Sequence, residues 1–270
     1  NKPLVTIAIT ACNDERHLAR AIDSAIAQEG IDREIMVVDD GSTDNTDEVL
    51  KRYAERIEII RHRTNRGAVQ ARRTVLNNAR GEWITMVDGD DWLSPHALER
   101  ALWASREADI VQMRIYLRLE SFPWIPIQWK QRYDCERAVD AVLFNEHAFP
   151  VQAWGKLYRP EMLDSGIDTI EYEGFWGEDR LLNLPIMLRR PHIVVAHNAH
   201  YNYRLGGRSC VNRIGPRTEK IRERRLLLLE EVKRVNQIKR DYLRSRFLLT
   251  REIEHQLDLE LERHTRYLTR

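Results

Sequence analysis

An acidic pair follows a run of apolar residues near the start of the chain, in the segment VVDDGSTDNT at residues 37–46. Asp39 and Asp40 end the apolar run, and Gly41 lets the backbone turn closely against a ligand. Carboxylates in this position can accept hydrogen bonds from a nucleobase or from ribose hydroxyls. A capped turn with Asp44 at the start of the next helix explains the same residues equally well, so this segment alone does not decide between the two.

A second acidic cluster follows the apolar residues 83–87 and contains Asp88, Asp90 and Asp91. Closely spaced carboxylates repel each other unless a cation lies between them. Hard divalent ions such as Mg²⁺ and Mn²⁺ take oxygen ligands and can bridge a carboxylate to a diphosphate. A solvated acidic turn before a helix is the plainer alternative. Because ligands of α/β sheets bind at the carboxyl ends of strands, two acidic strand ends favour a shared ligand site.

The elements that must position these acids alternate between strands and helices, which predicts an α/β fold with a mostly parallel sheet. Apolar, β-branched runs predict strands, and apolar residues at helical spacing predict helices. The predicted strands are 5–10, 34–38, 57–60, 83–87, 109–113 and 193–196, and the predicted helices are 18–26, 46–54, 68–79, 95–105 and 178–188. Residues 117–133 are predicted to be a loop or irregular strands, and residues 201–213 a basic loop.

The end of the chain has a different composition, since residues 217–270 contain neither glycine nor proline and are rich in Leu, Arg, Glu and Lys. This predicts two helices over 215–270, or one helix interrupted near Val235. Ile253, Leu257 and Leu261 recur at a spacing of four residues and predict an apolar stripe. Packing on the same domain, packing on a second subunit of a homo-oligomer, and peripheral contact with a membrane surface all remain open.

The overall charge gives no sign of nucleic acid as a partner, because 43 basic residues nearly balance 42 acidic ones. Cys12, Cys135 and Cys210 lack the spacing of a zinc site and are interpreted as reduced thiols. No apolar run approaches the roughly 18 residues that cross a bilayer. We therefore expect a cytoplasmic location, either soluble or peripheral at the inner face of the cytoplasmic membrane.

Taken together, the motifs resemble glycosyltransferase family 2, an inverting family with the GT-A fold that builds polysaccharides and other glycans. Residues 10–18 are similar to its opening YNxxxxL motif, with Cys12 in place of the aromatic residue. Residues 37–46 match its VVDDGSxDxT motif in full. Asn65, Gly67 and Arg72, followed by the sequence DGDD, are similar to NxGxxxARNxG and DxDD, with Arg73 where asparagine is usual.

The resemblance implies that the first half of the chain, about residues 1–113, binds a nucleotide-sugar, with a UDP-sugar favoured. The residues implied in nucleotide binding are Thr10, Cys12, Glu15, Asp39, Asp40, Arg72 and Asp88. Asp90, together with Asp88, is the implied ligand pair for Mn²⁺ or Mg²⁺.

The resemblance also implies an acceptor-binding half at about residues 114–214, which completes a GT-A domain over 1–214. WGKLYRPEM at 154–162 and GEDRLLN at 177–183 are similar to motifs on the acceptor side of the family. Asp179 is the implied general base, and Glu178 is implied to hold sugar hydroxyls. A loop with Tyr203, Arg204, Arg208 and Ser209 is expected to close over the diphosphate. The expected acceptor contacts, with a carbohydrate or a lipid-linked glycan, are Trp154, Lys156 and Trp176.

Two other functions fit part of the sequence. A nucleotidyltransferase also uses an α/β sheet and acidic metal ligands, but residues 10–18 lack the glycine and lysine that would cradle a triphosphate. A catalytically silent module that binds nucleotide-sugars or glycans, or acts as a scaffold, is the other alternative. The identity of the sugar and of its acceptor does not follow from the sequence.

Overall fold

The computed structural model describes residues 4–119, 122–126, 152–163, 172, 177–205, 220–246 and 248–269. The strands are β1 Val5–Ala11, β2 Arg33–Asp39, β3 Glu58–Arg61, β4 Trp83–Asp88, β5 Trp92–Leu93, β6 Ile110–Leu119, β7 Phe122–Pro126, β8 Lys156–Tyr158 and β9 Ile193–Arg204. The helices are α1 Leu18–Ile26, α2 Thr46–Lys51, α3 Ala68–Asn78, α4 Ala97–Trp103, α5 Pro160–Leu163, α6 Glu178–Leu188, α7 Lys220–Ser245 and α8 Arg251–Thr269.

All of these strands belong to one sheet, in the order β3-β2-β1-β4-β8-β6-β9-β5, with β7 paired to β6. The first four are parallel to each other, and their register places Thr10 beside both Val38 and Asp88, and Ala11 beside Asp39. The carboxyl ends of β1, β2 and β4 therefore meet at one edge, as the sequence predicted. Strand β8 runs antiparallel between β4 and β6 and joins the two halves of the sheet.

Apolar side chains cover both faces of the sheet because successive strand residues point to opposite sides. Ala8 and Met36 face α3 and α6 in one cluster of buried residues. Ile7 and Val37 belong to a second cluster, which contains α1 and α4. Burial on both faces explains why these strands have continuous apolar runs rather than alternating ones.

The second half of the sheet differs from the sequence prediction. Strand β6 continues to Leu119, and β9 continues to Arg204, so Tyr203 and Arg204 end a strand and do not lie in the expected loop. The two strands pair in parallel as far as Arg118 and Arg204. This long-range pairing satisfies the backbone of both segments, and local sequence patterns do not reveal it. Part of the expected irregular stretch forms β7, antiparallel to β6.

The two predicted C-terminal helices are present, but the position predicted for their interruption is wrong. Val235 lies inside α7 and is 1% exposed, while the break falls between Ser245 and Arg251. Thr250 caps the second helix, since its Oγ1 accepts a hydrogen bond from the Ile253 N–H at 3.2 Å. Within the described ranges, no helix combines the length and apolar character needed to cross a bilayer.

Helix α7 packs directly on the start of α6. Gly177, which precedes α6, has a φ of +78°, and a Cβ there would lie 3.1 Å from Cγ2 of Val235. The left-handed backbone and the close contact both favour glycine at this position. The C-terminal helices therefore support the helix that begins with Glu178 and Asp179.

An ion pair lies inside the interface between α7 and α8. Lys239 Nζ is 3.1 Å from Glu260 Oε2, and the two side chains are 1% and 4% exposed. Burial lowers the pKa of Lys239 to about 8, although the charge of Glu260 opposes this shift. Glu260 also lies near Arg180 of α6, whose pKa is lowered by burial and raised in part by Glu260. Glu260 thus faces two cations.

We expect Glu260→Gln to cost about 3–5 kcal/mol of unfolding free energy, because it leaves two buried cations without their shared carboxylate. Lys239→Met should cost less, since Arg180 still faces Glu260. Urea unfolding of both variants measures the difference. Lys233→Met, which removes an exposed pair with Glu230, should change stability by less than about 1 kcal/mol. Equal losses in the first two variants would contradict this assignment.

Candidate active site

The sheet edge formed by β1, β2 and β4 is held together by backbone hydrogen bonds. The Asp40 N–H donates to the Ala11 carbonyl at 2.8 Å, and the Gly89 N–H donates to the Thr10 carbonyl at 2.9 Å. Thr10 therefore fixes the turn after β4 through its backbone. The ends of the three strands form one continuous edge that carries the predicted nucleotide and metal residues.

The two acids of the VVDDGS segment have different environments. Asp40 accepts hydrogen bonds from the Arg66 N–H at 2.9 Å and the Gly67 N–H at 2.8 Å, and His62 Nδ1 lies 2.6 Å from its Oδ1. Asp39 Oδ1 accepts from the Ser42 N–H at 3.1 Å. No described residue hydrogen-bonds to Asp39 Oδ2. Asp40 therefore holds the loop before α3, and Asp39 has the oxygen that can face a ligand.

The segment before α1 folds onto the segment before α2. Glu15 Oε2 accepts from the backbone N–H and the Nδ2 of Asn45, at 3.1 and 2.7 Å. Asn65 Nδ2 donates to Cys12 Sγ at 3.0 Å, and burial raises the pKa of this half-buried thiol. Cys12 is therefore a neutral thiol at the rim of the edge. Glu15 links the two segments through its hydrogen bonds with Asn45.

Arg72 joins the two acidic motifs that lie far apart in the sequence. This residue of α3 is 3% exposed. Its Nη1 lies 2.8 Å from Asp179 Oδ1, and its Nη2 lies 3.7 Å from Asp88 Oδ1. Burial by itself lowers the pKa of Arg72, but Asp179, Asp88 and Glu178 together raise it above its ordinary value. The guanidinium stays charged and holds the strand-end acid and the helix-start acid at one place.

Asp179 is fixed through one of its two oxygens. Oδ1 accepts the Ala153 N–H at 3.1 Å in addition to its ion pair with Arg72. No residue in the described part of the chain hydrogen-bonds to Oδ2, and the side chain is 21% exposed. Asn183 Nδ2 donates to the Asp179 carbonyl at 2.8 Å and anchors the first turn of α6. An anchored carboxylate with one available oxygen can accept a proton from a hydroxyl group.

Glu178 has a strongly perturbed carboxyl group. Burial, and then the charge of Asp179, raise its pKa to about 7, while Arg72 opposes the shift. A carboxyl group that changes charge near neutral pH can donate as well as accept a hydrogen bond. This property suits contact with sugar hydroxyls.

Of the three acids at the carboxyl end of β4, Asp91 is held by contacts within the protein. It is 1% exposed, and it accepts the Tyr201 hydroxyl at 2.7 Å and the Arg204 N–H at 2.8 Å. Asp88 and Asp90 are therefore the two acids that remain for a ligand. Burial raises the pKa of both, and repulsion from Asp179 and Asp90 adds to the shift of Asp88, which Arg72 opposes.

These two carboxylates fit a divalent cation that binds together with a diphosphate. In the described part of the chain, no three His, Cys, Asp or Glu side chains are placed to hold a metal by themselves. Mg²⁺ usually binds to one or two carboxylates and takes its other ligands from substrate phosphates and water. A cation would also relieve the repulsion that raises the pKa of Asp88. The donor set therefore suits Mg²⁺ or Mn²⁺ held jointly by the protein and a substrate.

The predicted acceptor residues lie mostly in the interior. Trp154 is 7% exposed and stacks on Tyr201 and Tyr203, with ring centroids 4.9 and 4.8 Å apart. Lys156 on β8 is fully buried, and it donates to the Gln152 carbonyl. Burial lowers the pKa of Lys156 to about 7. Because both side chains pack in the interior, neither is placed to contact an acceptor from the surface. Trp176, Arg208 and Ser209 lie outside the described residues.

Several residues that hold the site in place are not among the predicted site residues. Tyr158 donates to the Ala153 carbonyl at 3.1 Å, and it lies 3.4 Å from Asn183 Oδ1. Tyr201 binds Asp91, and His62 bridges Asp40 and Thr74, with 2.8 Å to the Thr74 hydroxyl. Tyr158 and Asn183 occur inside recognised motifs, which was the available signal. Nothing in the sequence around His62 indicated its contacts.

Comparison with known proteins shows which family the chain belongs to. Residues 6–165 match the family described as glycosyl transferase family 2. The chain is 30% identical over 214 residues to the glycosyltransferase GlyA of Streptococcus pneumoniae, which covers 74% of this chain and 30% of GlyA. It is also 30% identical over 210 residues to the uncharacterized glycosyltransferase EpsJ of Bacillus subtilis, over 75% of this chain and 61% of EpsJ. The chain thus spans less than two thirds of these relatives.

Solved structures agree on the fold. Residues 1–349 of TarS from S. aureus, in complex with UDP-GlcNAc, match with a TM-score of 0.63 at 20% identity, over 92% of this chain and 74% of that one. The mannosyltransferase PcManGT from Pyrobaculum calidifontis, in complex with GDP-Man and Mn²⁺, matches with a TM-score of 0.57 at 16% identity, over 87% and 64%. The predicted GT-A fold is confirmed. On the sequence match, the chain belongs to glycosyl transferase family 2.

Proposed function

We propose that this protein is an inverting glycosyltransferase that moves a sugar from a nucleotide-sugar onto a glycan or a lipid-linked glycan. The observation that carries the proposal is the buried Arg72, which holds Asp88 of the strand edge and Asp179 of the α6 start together. A donor diphosphate bound at the first acid would place its sugar near the second. A UDP-sugar is the favoured donor, and the similar TarS structure contains UDP-GlcNAc.

Asp179 is the general base of the proposed reaction. Its Oδ2 takes the proton of the acceptor hydroxyl while the acceptor oxygen attacks the anomeric carbon. The bond between that carbon and the diphosphate oxygen breaks, and the diphosphate leaves with the electron pair. Because attack comes from the face opposite the diphosphate, an α-linked donor gives a β-linked product. Arg72 and the Ala153 N–H keep the carboxylate oriented through Oδ1.

The donor is bound by the strand edge. Asp90 and Asp88 would hold Mn²⁺ or Mg²⁺, which supplies positive charge against the charge that develops on the leaving diphosphate. Asp39 Oδ2 is the proposed contact to the nucleoside, with Asp40 shaping the loop beside it. Arg204 lies near Asp90, since its charge opposes the raised pKa of that carboxyl group. Glu178 is proposed to contact sugar hydroxyls.

Donor hydrolysis tests the proposal without knowledge of the acceptor. UDP-, GDP-, CDP- and dTDP-sugars are incubated with the protein and Mn²⁺, and the release of free nucleoside diphosphate is measured. We expect slow release from one nucleotide class, because water replaces the acceptor in the site. EDTA should abolish the release.

Asp90→Asn should reduce this release by about 100-fold, which is typical when one electrostatic contact to the developing charge is lost. Asp241→Asn is the matched control, because Asp241 is an exposed acid of α7 that pairs with Arg244. Release that is unchanged by EDTA, or absent with every donor, would contradict the proposal.

A further inference from the structure

Basic side chains collect on the part of the sheet next to the metal aspartates. Arg114 and Arg118 share one face of β6, because strand residues four apart point to the same side. The parallel register sets His200 beside Arg114 and Arg204 beside Arg118. With Arg20, these residues form what we call the basic face.

Trp92 on β5 connects the basic face to α1. The guanidinium carbon of Arg20 lies 3.2 Å from the centre of the Trp92 ring, and that of Arg118 lies 6.0 Å from it. Strand β5 pairs with β9 through Trp92 and Asn202. Arg118 Nε donates to Asn202 Oδ1 at 2.7 Å, so the guanidinium is fixed in place. Four elements therefore converge to hold cations around one aromatic ring.

The basic side chains of this face are close enough to lower each other's pKa. Burial, and then the charges of Arg118 and Arg204, lower the pKa of Arg20. Burial likewise lowers the pKa of His200, and the charges of Arg114, Arg100 and Arg118 add to the shift. All five members of the basic face are exposed or half-buried, so solvent reaches them. An anion bound there would relieve this repulsion.

The dimensions of the basic face exceed those of the donor diphosphate. Four residues of strand separate Arg114 from Arg118, which corresponds to about 13 Å along β6. Arg204 is near Asp90 and can serve the diphosphate. A diphosphate is shorter than this span, so one that binds at Arg204, beside Arg118, would not also reach Arg114. The row of cations therefore suits a longer ligand with spaced negative charges.

We propose that the basic face binds an acceptor glycan that carries repeated anionic groups, either phosphate or carboxylate. The proposal rests on the proposed glycosyltransferase function, and it defines the chemical class of the acceptor. Guanidinium groups bind both kinds of oxyanion through paired hydrogen bonds. The acceptor would lie along β6 and β9 and reach the reacting centre beside Arg204.

The test uses the full chain with its donor site filled by saturating UDP and Mn²⁺. Short inorganic polyphosphate, oligogalacturonate and neutral malto-oligosaccharide are titrated, and binding is measured at two salt concentrations. We expect one of the two anionic probes, or both, to bind more weakly at high salt, and the neutral probe not to bind. Preference between the anionic probes distinguishes phosphate from carboxylate acceptors.

Arg114→Gln and Arg118→Gln should each weaken binding of the anionic probes about tenfold, as expected for the loss of one charged hydrogen bond. UDP affinity should not change. Arg56→Gln, at an exposed arginine before β3 on the opposite edge, is the matched control. Two variants at separate positions of β6 guard against a folding defect in one, and thermal unfolding checks both.

Three results would overturn the inference: no binding of either anionic probe, equal binding by the Gln variants, or binding of the probes only when UDP is omitted. The last result would place the anions in the donor diphosphate site. Failure of UDP itself to bind would instead contradict the proposed function, so the two failures are distinguishable.

Discussion

Asp179→Asn should lower the rate of donor hydrolysis by about 10²–10⁴-fold, which is the usual contribution of a general base. The asparagine cannot take the proton from the attacking hydroxyl or water. Its side-chain oxygen can still accept from the Ala153 N–H and stay beside the Arg72 guanidinium, so the local structure should be preserved. The dissociation constant of the nucleoside diphosphate should therefore stay within about threefold of the wild-type value. This corresponds to a change of less than about 1 kcal/mol in binding free energy.

The measurements are initial rates of nucleoside diphosphate release and calorimetric binding of the same nucleotide. Asp241→Asn, on the exposed surface of α7, controls for the loss of a carboxylate elsewhere. Near wild-type turnover in Asp179→Asn would remove this residue from the role of base. A parallel loss of nucleotide binding would instead show that Asp179 acts by holding Arg72.

Arg72→Met should cost about 3–5 kcal/mol of unfolding free energy at pH 8, because three acids lose their buried cation. Asp179, Asp88 and Glu178 all raise the pKa of Arg72, which shows that they share its charge. Without the guanidinium these carboxyl groups would bind protons more tightly in the folded state than in the unfolded chain. The stability deficit should therefore shrink as the pH falls from 8 towards 5.

Urea unfolding at both pH values measures this effect. The double variant Arg72→Met with Asp179→Asn should regain part of the loss, because one uncompensated charge is gone. Arg61→Met, which breaks an exposed pair with Asp47, should cost less than about 1 kcal/mol at either pH. A deficit that grows at low pH would contradict the electrostatic role of Arg72.

The sequence predicts the first half of the fold well because local signals there are strong. Residues 5–10, 34–38 and 83–87 are rich in apolar and β-branched side chains, and an aspartate directly follows the second and third runs, so strand position and edge follow together. The parallel register then brings Asp39 and Asp88 to the same edge. These predictions depend on neighbours in sequence, and the tertiary structure does not override them.

The contacts that define the reacting centre depend on long-range packing. The partner of Arg72 is Asp179, which lies on another helix far along the chain. No local sequence pattern links the two residues. Burial also reversed two expectations about surface contact. Trp154 and Lys156 were assigned to the acceptor, yet they lie 7% and 0% exposed. A motif identifies a residue, but it does not show whether the side chain of that residue is buried or exposed.

The C-terminal helices show the same limit. Their composition predicts helix, because good helix formers continue without glycine or proline. The composition does not indicate that Lys239 and Glu260 are buried. Charged residues are almost never fully buried unless they are paired, and this pairing joins two different helices. The break before Arg251 had a signal in Thr250, a residue preferred as a helix cap.

The most direct test of the central claim is calorimetric titration of the wild-type protein with UDP, GDP, CDP and dTDP, in Mn²⁺ and in EDTA. The claim is that Asp39, Asp88 and Asp90 form a metal-dependent site for a nucleoside diphosphate. We predict that one nucleotide, with UDP favoured, binds in Mn²⁺ and loses its affinity in EDTA. Absence of binding by all four nucleotides, or binding that EDTA does not change, would contradict the claim.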